Sequence, residues 1–145
     1  MYKNILIPTD GSDLSKAAAR DGVRLAKSIG ARVTTLHTTP KFYAGELVGH
    51  AVYDRAVEFQ DQSTINAQNA LSEVEQMARE AAVEVSTVHQ VTDNPWEAIV
   101  TAAQKNDCDL IFMASHGRRG ISALLMGSET NKVLIHTKIP VLVWR

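Results

Sequence analysis

DLIFMASHGRRGISALLMGSETNKVLIH, residues 109–136, passes from an unbroken apolar run through a glycine-punctuated turn into a helical pattern. Asp109 to Ala114 has Leu-Ile-Phe-Met at its centre and reads as a strand covered on both faces. Ser115 to Gly127 carries Gly117, Gly120 and Gly127, and a short helix is expected from Glu129 to His136. Ile139 to Trp144 then reads as a last strand. A strand, a helical crossover and a second strand form the unit of a parallel sheet, because parallel neighbours cannot be joined by a tight hairpin.

Upstream the same alternation repeats. Ile5-Leu6-Ile7 is a short buried strand ending at Pro8, followed by the turn residues Thr9-Asp10-Gly11-Ser12. From Leu14 to Ile29 the spacing becomes helical, with Leu14, Ala18, Leu25 and Ile29 on one face, Ser12 as the cap and Gly30 as the stop. Arg32 to Thr38 is rich in β-branched residues and reads as the second strand. Thr39 to His50, with Pro40, Gly45 and Gly49, reads as a loop. A long helix is expected over Val52–Ala82, its buried stripe being Ala67, Ala70, Leu71, Val74, Met77, Ala78 and Ala81. Val83 to Val91 alternates and reads as the third strand. Asn94-Pro95-Trp96-Glu97 opens a helix that runs to Lys105, with Asn94 at the N-cap, Pro95 at N1 and Glu97 at N3. The expectation is an α/β fold of parallel strands and helical crossovers, one domain over residues 1–145.

Composition narrows the function classes. A formal net charge of −1 supplies no field for recruiting nucleic acid or an anionic membrane, and Arg118-Arg119 is the only adjacent basic pair. Neither kind of partner is expected. The single cysteine, Cys108, permits no intrachain disulfide, which suits a reducing compartment. It sits at the head of an apolar run and reads as a packed, inert thiol. No apolar segment approaches the ~18 residues of a membrane span, so a cytoplasmic protein is expected.

In an open α/β sheet, ligands bind at the carboxyl ends of the strands, where the strand order reverses. Two unusual turns lie at such ends, Pro8–Ser12 and Ala114–Gly120. Gly117 and Gly120 allow backbone amides to face a concavity, and Gly127-Ser128 opens a helix whose free amides favour an anion. Together they make a phosphate cradle. The glycines lack the Lys-Ser/Thr pair of a Walker motif, and no GxGxxG follows the first strand. The alternative reading is that the glycines only shape a tight turn.

The spacing Ala114-Ser-His-Gly117, nine residues, Gly127-Ser128 resembles the universal stress protein signature G-x-x-G-x9-G-[ST]. The opening Ile5–Ser12 and the closing Lys132–Val143 are similar to that family's first strand and turn and its last helix and strand. The resemblance covers nearly the whole chain and is weakest over Phe42–Gln62. It implies a three-layer, Rossmann-like sheet of five parallel strands in the order 3-2-1-4-5, of the adenine nucleotide alpha hydrolase-like type, and a homodimer. Members with the signature bind ATP or related adenine nucleotides (ADP, AMP). Carried onto this chain, the adenine would lie against Pro8, Thr9 and the backbone at Thr38. Asp10 would face the ribose or a phosphate-bound Mg²⁺, and Ala114 would line the ribose. Gly117, Gly127, Ser128 and the amide of Glu129 would hold phosphates. Read from the residues themselves, His116 shapes the loop or contacts the ligand, and Arg118 either neutralises phosphates or is a solvated arginine. Ala114 departs from the family, which has glycine there.

The function expected is a nucleotide-responsive binding protein rather than an enzyme. A slow ATPase would have only Asp10 and His116 to work with, and no phosphate-binding lysine. The other alternative is a nucleotide-independent dimeric module. Asp10 could equally form an Asx turn, and His37 reads as a packed or edge histidine. Val141–Arg145, an apolar edge, would be covered by pairing with its copy in a homodimer.

Overall fold

Ile5, Leu6 and Ile7 are wholly excluded from solvent. They form the middle of β1 (Asn4–Pro8), which lies at the centre of the sheet. Around it are α1 (Asp13–Ile29), β2 (Arg32–Thr39), α2 (His50–Glu80), β3 (Val85–Val91), α3 (Pro95–Lys105), β4 (Leu110–Ala114), α4 (Ser128–His136) and β5 (Val141–Trp144). The computed structural model describes residues 1–117 and 126–145. The strands are all parallel, in the order β3-β2-β1-β4-β5, with Ile5 opposite both Val33 and Leu110. Successive residues of a strand point to opposite faces. Ile5 and Ile7 therefore join the core beneath α1 and α2, while Leu6 joins Leu36, Ile111 and Met113 beneath α3 and α4.

Three expectations need correction. On α1 the buried residues are Ser15, Ala18, Ala19, Gly22, Val23 and Ala26. Leu14 and Leu25 are only partly covered, and Ile29 is exposed. The face turned to the sheet is the one with the smallest side chains, which lets the helix approach β1 and β4 closely. At Gly22, a β-carbon would lie 2.8 Å from Ile7 Cδ1 and 3.2 Å from the ring of Phe112.

The second correction concerns β3. It begins at Val85, and its covered residues are Val85 and Val88, three apart, so they face opposite cores. An edge strand reached by helices on both faces does not follow the simple alternation of a half-buried one. The third concerns α3. Asn94 occupies the N-cap position but its side chain makes no capping bond. The acceptor comes instead from α4, where Glu129 Oε2 lies 2.9 Å from the amide of Trp96.

The long helix α2 buries Ala67, Ala70, Val74 and Ala78, all in its second half. Cys108 is buried, and that burial raises its thiol pKa, as expected of an inert packed cysteine. Among the described residues, no helix is long and apolar enough to cross a membrane.

Candidate functional site

The order of the strands places a reversal at β1. The chain leaves it toward β2 on one side and later returns to β4 on the other. The turns after β1 and β4 therefore open side by side at the carboxyl edge. The turn after β1 is firmly held. The Thr9 amide donates to the Leu36 carbonyl (2.8 Å), and buried Thr9 Oγ1 accepts from the Gly11 amide (3.2 Å) and lies 3.2 Å from Ser15 Oγ. Gly11 has φ +76°, a conformation that disfavours any side chain. Asp10 Oδ1 accepts from the Ser12 amide at 2.9 Å, so the Asx turn does form. Ser12 in turn caps α1 through the amide of Ser15.

The other carboxylate oxygen of Asp10 is turned toward the second loop. A β-carbon on Gly117 would stand 2.6 Å from Asp10 Oδ2. At Gly127, with φ −60°, the constraint is closeness and not dihedral strain: a β-carbon there would lie 3.1 Å from His116 Cα and 3.2 Å from the Ser115 carbonyl. The Gly127 amide donates to that same carbonyl at 2.7 Å. Thr130, almost wholly buried, directs its hydroxyl to the carbonyls of Ala114 and Ser115, each at 3.2 Å. The start of α4 is thereby pressed against the end of β4. Gly127 has no side chain with which to cap the first-turn amides of α4. Such a helix start suits an anion.

The structure brings most of the expected residues to this one edge. Pro8 ends β1 with Thr9 and Asp10 in the turn after it, Ala114 ends β4 with His116 and Gly117 in the turn after it, and Gly127 is the N-cap before Ser128 and Glu129 at the start of α4. Thr38 lies near the end of β2, the strand beside β1. The methyl group of Ala114 belongs to the core cluster with Ile7, Ala18 and Phe112. His116 is half-buried, its Nδ1 3.1 Å from Ser115 Oγ. Arg118, with Arg119 and Gly120, lies outside the described residues.

Two contributors carry no sequence signal of their own, and a third is legible only as a packed or edge histidine. Thr130 locks the start of α4 and Ser15 supports Thr9. Buried His37 sits with Nδ1 3.0 Å from the Thr9 carbonyl, so it packs against the site's first turn. Their residue types are common in helices and strands, and only the tertiary contacts mark them out. Among the described residues, no group of three or more His, Cys, Asp or Glu could hold a metal ion. Asp10 is the one carboxylate identified between the two loops. One carboxylate is too few for a self-standing Mg²⁺ site.

Comparison with known proteins gives a consistent result. The family model described as the universal stress protein family matches residues 1–145. Universal stress protein MJ0531 of Methanocaldococcus jannaschii is 33% identical over 143 residues, covering 99% of this chain and 82% of that protein. Universal stress protein UspA from Lactobacillus plantarum superposes with a TM-score of 0.83 at 26% identity, covering 99% of this chain and 98% of its own. The universal stress protein from Archaeoglobus fulgidus in complex with dAMP has a TM-score of 0.67 at 20% identity, covering 99% and 98%, a likeness of fold.

Proposed function

The chain belongs to the universal stress protein family, and from that premise we propose that it is a single-domain binding protein for an adenine nucleotide of the ATP class. One observation carries the reading. The two glycines of the signature spacing, Gly117 and Gly127, stand where an added β-carbon would crowd a neighbour: the tip of the Asp10 side chain, 2.6 Å away, for Gly117, and loop backbone at 3.1 and 3.2 Å for Gly127. The spacing thus coincides with a place where a side chain is disfavoured, most firmly at Gly127, whose close neighbours are backbone. Phosphates would be held by the amides at Gly117 and Gly127–Glu129 and by the Ser128 hydroxyl. Pro8, Thr9 and Thr38 would form the base end of the site. Ala114 is compatible with this, because its methyl group fills core space under α1. Mg²⁺ would enter with the phosphates, facing Asp10. The dAMP complex of the Archaeoglobus fulgidus protein is an instance of this fold with an adenine nucleotide in it.

Protein purified without added nucleotide, then denatured, is expected to release near-stoichiometric adenine nucleotide on ion-exchange analysis. The stripped protein is expected to bind ATP in the micromolar range by calorimetry. Empty protein that gives no heat of binding would overturn the reading.

The protein acts by occupancy rather than turnover, and as a homodimer through β5. The carbonyls of Pro140 and Trp144 face β4, bonded to the amides of Ile111 and Ser115. The amides and carbonyls of Val141 and Val143 consequently face the open edge. Leu142 is 39% exposed on the same strand. An apolar edge of this kind is covered by antiparallel pairing with its copy. Val143→Pro removes an outward donor at a position where an edge strand tolerates proline. It is expected to convert dimer to monomer in light scattering, with unchanged circular dichroism. A variant that stays dimeric would rule out pairing through this strand.

A further inference from the structure

Glu129 stands in the first turn of α4, where a carboxylate would compete with a bound anion for the same free amides. Its side chain is instead directed at the neighbouring helix. Oε2 accepts from the Trp96 amide at 2.9 Å, and Oε1 lies 3.3 Å from Lys132 Nζ. The Trp96 bond satisfies a first-turn amide of α3 that Asn94 leaves uncapped. At the far end of α4, the Trp96 ring stacks on His136, with ring centroids 4.3 Å apart. Both ends of α4 are therefore tied to the first turn of α3, while Thr130 ties its start to β4.

We propose that Glu129 is a positioning residue of the phosphate cradle: by capping α3 it withdraws its own charge from the cradle and fixes the direction in which the first amides of α4 point. This rests on the adenine-nucleotide reading above. The carboxylate touches no ligand and acts through helix placement. The chemistry it serves is the phosphate part of the nucleotide, with the base and ribose indifferent to it.

Two variants separate geometry from charge. Glu129→Gln keeps an oxygen acceptor for the Trp96 amide and loses the charge. Glu129→Ala loses both. The side chain is partly exposed, so both variants are expected to fold. Affinities for ATP and for adenosine, which lacks phosphate, are measured by calorimetry. Hydrogen exchange at the Trp96 amide reads the tie itself without ligand. The expected result is that Gln binds ATP at least as tightly as the unaltered chain. Ala is expected to bind ATP about tenfold more weakly, with adenosine affinity unchanged in both and Trp96 protection lost only in Ala. Equal ATP affinity for Ala and Gln would mean that the bond to the Trp96 amide contributes nothing to binding, and would overturn the proposal. So would Trp96 protection surviving in Ala. Failure of the unaltered chain to bind ATP or adenosine would overturn the nucleotide reading first and this proposal with it. That outcome is distinguishable, because the exchange measurement needs no ligand.

Discussion

Gly127→Val is expected to abolish ATP binding while leaving the sheet folded. The first added carbon would lie 3.1 Å from His116 Cα and 3.2 Å from the Ser115 carbonyl, both backbone atoms. Backbone of this kind cannot swing aside as a side-chain tip can, so α4 must move. The movement breaks the 2.7 Å bond from the Gly127 amide to Ser115 and shifts the Thr130 hydroxyl off the carbonyls beneath it. The amides proposed to hold phosphate would then point elsewhere, and a displacement near 1 Å at such a site costs about 100-fold. Gly117→Val should be milder. Its close neighbour is the tip of the Asp10 side chain, which can rotate once its bond to the Ser12 amide is given up. Calorimetry on both variants checks the ranking. Undiminished ATP affinity in Gly127→Val would mean that the glycine only shapes a turn.

Gly22→Val is expected to lower stability by about 3 kcal/mol, the upper part of the range for overpacking a core. For a chain of this size that amounts to a fall in Tm of about 10 °C. Glycine inside a helix ordinarily costs about 1 kcal/mol against alanine, so its presence in α1 calls for a packing reason. The reason is Ile7, fully buried in the central strand, with Phe112 beside it. Even the first carbon of valine would sit 2.8 Å from Ile7 Cδ1, and two methyls follow it. Gly22→Ala is the informative companion, because its gain in helix propensity offsets the shift Ile7 must make. Thermal unfolding of the two variants reads both quantities. A Tm for the valine variant within a degree or two of the unaltered chain would show that α1 is free to lift from the sheet.

The alternation of apolar runs with helical spacing made the layered architecture legible, because each strand and its crossover carries its own periodicity. The two loops were legible as well, since Gly117 and Gly127 stand at strand and helix ends. What escaped lies between elements far apart in the chain. The buried face of α1 follows side-chain size and not hydrophobicity, so the large residues Leu14 and Leu25 point to the wrong stripe. The cap of α3 comes from Glu129, 33 positions from Trp96, while the local pattern around Asn94 looks self-sufficient. Thr130 shows no pattern at all until β4 and α4 are in place, and His37, read as packed or edge, gains its partner only with the Thr9 turn.

The helix α2 has 31 residues and spans about 46 Å, whereas β2 beside it spans only about 26 Å with its eight residues. Its contribution to the core comes from Ala67 onward. Substitutions in the turns before Ala67 carry little penalty for the sheet, and neither do changes in their length. This half of the helix overlaps Phe42–Gln62, the stretch over which the family resemblance is weakest. Changes there leave untouched the edge proposed to hold the nucleotide.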